Sequence, residues 1–124
     1  AAITNNISAI ILANTTNGNR DNLVSEIKKE EGGLSGEPLQ KVSTNMIKKF
    51  YKQLNGKIPI VGVGGVNSGK SAYEKIIAGA SLIQLYTGFI YRGPSVAKDI
   101  KKELIQILKV EGVKNIEDAV GRGV

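Results

Sequence analysis

Three short stretches of this sequence carry residue types suited to chemistry. Asn14 and Thr15 place an amide and a hydroxyl at the end of the apolar run SAIILAN. Gly64 to Ser71, GGVNSGKS, fits the pattern G-x-x-x-x-G-K-[ST], in which backbone N–H groups cradle phosphates and a lysine reaches their outer oxygens. Tyr86 and Thr87 open a third polar, glycine-bearing stretch, YTGFIYRG. The chain has no histidine and no cysteine. Imidazole acid–base chemistry, thiolate metal sites and disulfides are therefore excluded. Carboxylates, lysines, hydroxyls, backbone amides or a bound cofactor must supply whatever chemistry there is.

The elements that position these residues follow from periodicity. Ser8 to Asn14 reads as a short buried strand, and Thr15 to Gly36 as a long loop that ends in EGGLSGEPL. Leu39, Val42, Met46, Phe50 and Leu54 recur at helical spacing and predict an amphipathic helix ended by Gly56. IPIVGV, Ile58 to Val63, is a second strand. The helix after it is capped by Asn67 or Ser68, carries Ala72, Ile76 and Ile77, and stops at Gly79. Ser81 to Thr87 is a third strand, GFIYRG a glycine-bounded loop, and Pro94 opens a helix that buries Val96, Ile100, Leu104, Ile107 and Leu108. NIEDAVG adds a short terminal turn. Strand, loop and helix thus repeat three times. That order predicts an α/β fold with parallel strands and right-handed crossovers. Ligands in such folds sit at the carboxyl ends of the strands, where the Gly-, Asn- and Thr-rich loops lie.

The phosphate-loop spelling has two readings. A nucleoside-triphosphate site also needs an acidic residue at another strand end to hold Mg²⁺. The three aspartates, Asp21, Asp99 and Asp118, fall in a loop and on helices. Moreover, Gly62 lies inside the strand and Gly64 and Gly65 at its end, so backbone can pack flat against a ligand before the turn begins. Both points favour a barrel-type phosphate site, made of amides after two adjacent strands with a hydroxyl from Thr87, over P-loop hydrolysis. On local sequence alone, glycines that serve only tight βα turns stay open as an alternative.

With 124 residues, 41% hydrophobic, the chain suffices for one modest domain. Seventeen basic and eleven acidic residues give a formal charge of +6. Lys98, Lys101, Lys102 and Lys109 fall on a polar helix face, and the six aromatics do not interleave with them as a nucleic-acid stacking platform would. No nucleic-acid partner is expected. No apolar run approaches the ~20 residues of a membrane span, and the start of the chain lacks signal-peptide order. The N-terminus begins as if within an element, so a piece of a longer protein is expected.

Four stretches, NTT at 14–16, GGLSGEPL at 32–39, IPIVGVGGVNSG at 58–69 and AGASLIQLYTGFIYRGP at 78–94, resemble the C-terminal part of class 2, quinone-linked dihydroorotate dehydrogenases. Together, in this order, they are far more specific than any one alone. The resemblance implies that residues 1–124 are the last three βα units of a single FMN-binding (β/α)8 barrel domain, incomplete without its N-terminal part. It implies oxidation of dihydroorotate to orotate with a quinone acceptor in pyrimidine synthesis. Asn14 and Thr15 match substrate-binding positions, Gly36 an FMN contact, and Gly65, Tyr86 and Thr87 the FMN-phosphate cup. No catalytic residue and no metal ligand is implied within this chain. The base, a serine in this class, lies in the missing part, as does the extension that docks to the membrane. For a full-length bacterial protein, the location implied is the cytoplasmic side of the cell membrane, peripherally bound. The segment alone is expected to be soluble and inactive. A half-barrel module that assembles with a separate N-terminal chain is the alternative. One position departs from the pattern: Ala13 stands where the family often has Thr, so only a backbone contact would survive there. Lys70 has no implied role and is expected to be solvated.

Overall fold

A computed structural model describes residues 3–18 and 20–124. Three parallel strands, β1 (Ile10–Leu12), β2 (Ile60–Val63) and β3 (Leu82–Gln84), form one sheet in the order β1-β2-β3. Ile11 pairs with Val61 and Val61 with Leu82; Leu12 pairs with Gly62 and Gly62 with Ile83. Side chains alternate across a strand, so each of these rows occupies one face.

The row through Leu12 and Ile83 is covered by helices. Helix α1 (Gln40–Leu54) lays Ile47 and Leu54 on Leu12, Ile58, Ile60 and Ala80. Ile47 and Ile60 are essentially inaccessible, and each such burial stabilises the fold by roughly 1.5–3 kcal/mol. A second core forms where α2 (Gly69–Ile77) meets α4 (Val96–Val110), with Val66, Ala72, Val96 and Ile100 at its centre. A third joins Ile76 to Val113 and Ala119, the last in the terminal 3-10 turn Ile116–Ala119. The opposite row is open: Ile11 is 60% and Leu82 61% exposed.

Several sequence expectations shift. β1 is not a buried strand, because only one of its faces meets a helix. The stripe of α1 runs through Ser43 and Ile47, while Val42 is 58% exposed. The helix ends at Leu54 and is capped by Asn55, in left-handed conformation, one residue before Gly56. GFIYRG is not a loop: Thr87–Arg92 form a short helix, α3, closed by Gly93. β3 therefore stops at Gln84, before Tyr86 and Thr87, and α4 begins at Val96, two residues after Pro94. Lys70, Lys98, Lys101, Lys102 and Lys109 are exposed, as their helix positions predict.

Candidate functional site

The carboxyl ends of the three strands open into one cleft of about 410 Å³, within the ~300–1,000 Å³ usual for small-molecule sites. Asn14, Thr15, Gly36, Gly65, Tyr86 and Thr87, the six residues singled out from sequence, all line it. So does Ala13. They arrive from three different βα connections.

The first connection is long but pinned. Thr16 and Leu34 exchange backbone hydrogen bonds of 3.1 and 2.8 Å, which close the ends of the 15–36 loop on each other. Arg20 ties the interior of that loop by donating to the carbonyls of Lys28, Glu30 and Gly32. Asn14 and Thr15 are thereby held beside Ser35 and Gly36. The Thr15 N–H donates to Asn14 Oδ1 at 2.7 Å, and among the described residues no group accepts from the Asn14 NH₂. Across the cleft, Thr87 Oγ1 donates to Ser35 Oγ at 3.0 Å. One proton is used between these two hydroxyls, and the other remains to donate elsewhere. Gly36, with φ 84°, lets the loop backbone approach Thr87, whose Cγ2 lies 3.0 Å from where a Cβ would stand.

The second connection carries Gly64 and Gly65, with φ 102° and 75°. A side chain at Gly65 would meet the Gln40 backbone at 2.7 Å. Ser43 Oγ donates to the Gly64 carbonyl at 3.0 Å and also reaches the Gln40 carbonyl at 3.2 Å. Among the described residues no protein group accepts the Gly65 N–H, although the residue is buried. A buried amide donor of this kind is normally bonded. The donor set of the cleft, backbone amides after β2 and β3 that have no acceptor among the described residues, hydroxyls and a carboxamide, suits an anionic oxygen cluster next to a planar polar group.

The far end of the same loop is already satisfied. Ser68 and Ser71 form a capping box, with the Ser71 N–H on Ser68 Oγ at 3.2 Å and the Ser68 N–H on Ser71 Oγ at 3.0 Å. The Gly69 N–H donates to a Glu103 carboxylate oxygen. Gly69 must be glycine for this, since a Cβ would meet that of Glu103 at 2.3 Å. Lys70 points to solvent. At this end the Ser68, Gly69 and Ser71 amides of a triphosphate loop are thus committed, and its lysine is turned away. Among the described residues no group of three or more carboxylates could hold a metal ion.

Sequence reasoning did not pick out Ser35, Ser43 or Lys75. Lys75 is fully buried and donates to Ser43 Oγ at 2.6 Å and Thr44 Oγ1 at 3.1 Å. Burial lowers its pKa from 10.5 to about 8, against the neighbouring Glu74 carboxylate, which raises it. Its signal was positional: Lys75 shares the stripe of Ser71, Ala72 and Ile76.

The dihydroorotate dehydrogenase family model matches residues 1–108. The mitochondrial dihydroorotate dehydrogenase (quinone) of Arabidopsis thaliana is 46% identical over 121 residues, covering 97% of this chain and 26% of that protein. That of Mus musculus is 47% identical over 115 residues, 93% of this chain and 29% of the relative. The ligand-free DHODH of Eimeria tenella superposes with a TM-score of 0.94 at 44% identity, over 98% of this chain and 34% of that structure. The chain spans about a third or less of these relatives.

Proposed function

We propose, from the premise that this chain belongs to the dihydroorotate dehydrogenase family, that it forms the FMN-phosphate site and one edge of the orotate site of a quinone-linked enzyme. In this reading residues 1–124 are the C-terminal part of a single barrel domain, and the exposed row through Ile11 and Leu82 belongs to the barrel's inner face. The observation that carries it is the convergence of Asn14, Thr15, Gly36, Gly65, Tyr86 and Thr87, from three connections, on one cleft.

The roles follow from the donors each residue has left. The Gly65 N–H and the free proton of the Thr87–Ser35 pair donate to phosphate oxygens, with the Tyr86–Thr87 backbone beside them. Gly36 backbone lies against the flavin. The Asn14 NH₂ donates to a pyrimidine carbonyl, and Thr15 adds a hydroxyl to the same edge. FMN, when bound, would supply the two-electron redox chemistry. This chain's residues place and hold; the group that removes the substrate proton is contributed by the rest of the barrel, and the chain alone turns nothing over. Quinone reduction and peripheral membrane attachment, on the cytoplasmic side in a bacterial setting, likewise belong to the full-length protein. No described helix is long and apolar enough to cross a membrane.

The test is direct. The full-length protein should purify with FMN and form orotate from dihydroorotate with a quinone acceptor. Purified, folded full-length protein that neither retains FMN nor forms orotate would contradict the reading.

A further inference from the structure

The buried ammonium of Lys75 has no place in the roles above, yet it lies one hydroxyl away from the phosphate-facing turn. Its Nζ donates to Ser43 Oγ at 2.6 Å, and Ser43 Oγ donates to the Gly64 carbonyl at 3.0 Å. That carbonyl belongs to the same peptide unit as the Gly65 N–H. In a trans peptide the two point in opposite directions, so anchoring the carbonyl toward α1 aims the N–H away from it. Hydrogen bonds in a chain also polarise one another, and each donor upstream makes the terminal N–H a stronger one. We infer that Lys75 and Ser43 are positioning residues for anion binding: an ammonium–hydroxyl–peptide relay that orients and polarises the Gly65 N–H toward a phosphate monoester in the cleft.

Three features support this over a purely structural role. The serine is buried on a helix stripe where an apolar residue would pack as well, and its oxygen accepts from Lys75 while its one proton is directed at the carbonyls of Gly64 and Gln40. The lysine is desolvated, at a cost that an apolar side chain would avoid. At the end of the relay stands a buried amide with no acceptor among the described residues. The polar and charged groups that face the ammonium are the hydroxyls of Ser43 and Thr44 from α1 and Glu74 on α2, whose carboxylate is shared with Gln40 Nε2 at 2.6 Å, while Gly62 of β2 lies against the aliphatic stem at Cδ.

The inference rests on the reading that Gly65 faces the FMN phosphate, and the experiment separates the two. Apo full-length protein is titrated with FMN and with riboflavin, which lacks the phosphate, by quenching of flavin fluorescence, for wild type, Ser43→Ala and Lys75→Met. Expected is a wild-type preference for FMN that falls roughly tenfold in each variant, with riboflavin affinity unchanged. Wild-type affinity for FMN, and not for riboflavin, should also weaken several-fold from pH 7 to pH 9. The phosphate's own second ionisation, at about 6, is nearly complete by pH 7, and what remains of it would strengthen binding above that pH, not weaken it. Lys75→Arg should restore part of the preference lost in Lys75→Met. Equal weakening of both flavins would make the relay a packing device, and an unchanged, pH-independent preference would remove it altogether; either overturns the inference alone. A wild type without preference for FMN would overturn the phosphate reading and the relay with it. The pH arm needs no variant, so misfolding of a mutant cannot mask the result.

Discussion

The two ends of the stretch from Gly64 to Ser71 lie a few residues apart, are both rich in backbone donors, and differ in one respect. At the Ser68–Ser71 end the N–H groups of Ser68, Gly69 and Ser71 have found partners, in the capping box or in Glu103. At the Gly64–Gly65 end the carbonyl is anchored on Ser43 and the following N–H is left over. The lesson is that a phosphate-loop spelling states which backbone can approach a ligand but not which amides are free to bind one. Tertiary contacts decide that: α4 reaches over the helix end and fills it, whereas α1 holds the strand end open.

This contrast can be broken by substitution. The largest effect is expected at Gly65→Ala. A Cβ there meets the Gln40 backbone at 2.7 Å in a conformation, φ 75°, that L side chains rarely adopt. The full-length variant should lose about 2 kcal/mol or more of stability and purify without FMN, as read by urea unfolding and flavin absorbance.

Next comes Lys75→Met, through pH. The native pKa near 8 lies below the unfolded value of 10.5. Between those values the unfolded chain binds more protons than the native one, so raising pH across the window stabilises the wild type. The variant should lack that gain when urea midpoints are compared at pH 7.5 and 10. An identical pH trend in both proteins would count against a desolvated ammonium at this position.

At the other end of the loop, Glu103→Gln weakens the cap of α2. About 1 kcal/mol of stability should go, with FMN affinity untouched. The Arg92–Glu103 contact, at 3.9 Å and with both side chains about 40% exposed, adds little to this. The smallest effect belongs to Lys70→Ala, which should change the urea midpoint by an amount equivalent to less than ~0.5 kcal/mol and leave FMN binding as it was. A large loss of FMN in either of these two variants would reverse the assignment of the two ends.

Much of this was legible in the sequence where the signal is periodic or stiff. The three strands, α1, α2 and α4 each announce themselves by apolar spacing, and the glycines mark the strand ends. Helix α3 did not, because its six residues bury nothing and so carry no stripe. The exposure of Ile11 and Leu82 was hidden for a different reason: an apolar run looks the same whether one face of the sheet is covered or both. Within the cleft, Asn14, Thr15, Gly36, Gly65, Tyr86 and Thr87 were found through loop chemistry and family resemblance, and the fold brings them together. Ser43 and Lys75 were passed over since a hydroxyl and an ammonium on helices read as solvated. What gives them meaning is a three-body contact with Gly64, far away in sequence, that no local pattern encodes.

The central claim, that the free amide after β2 and not the helix end receives the phosphate, is tested most directly by NMR of full-length apoprotein labelled with [¹⁵N]glycine. Gly65 and Gly69 report from the two ends in one spectrum. On addition of FMN, and not of riboflavin, the Gly65 amide proton should move strongly downfield while Gly69 stays in place. A shift at Gly69 with Gly65 unmoved would contradict the account.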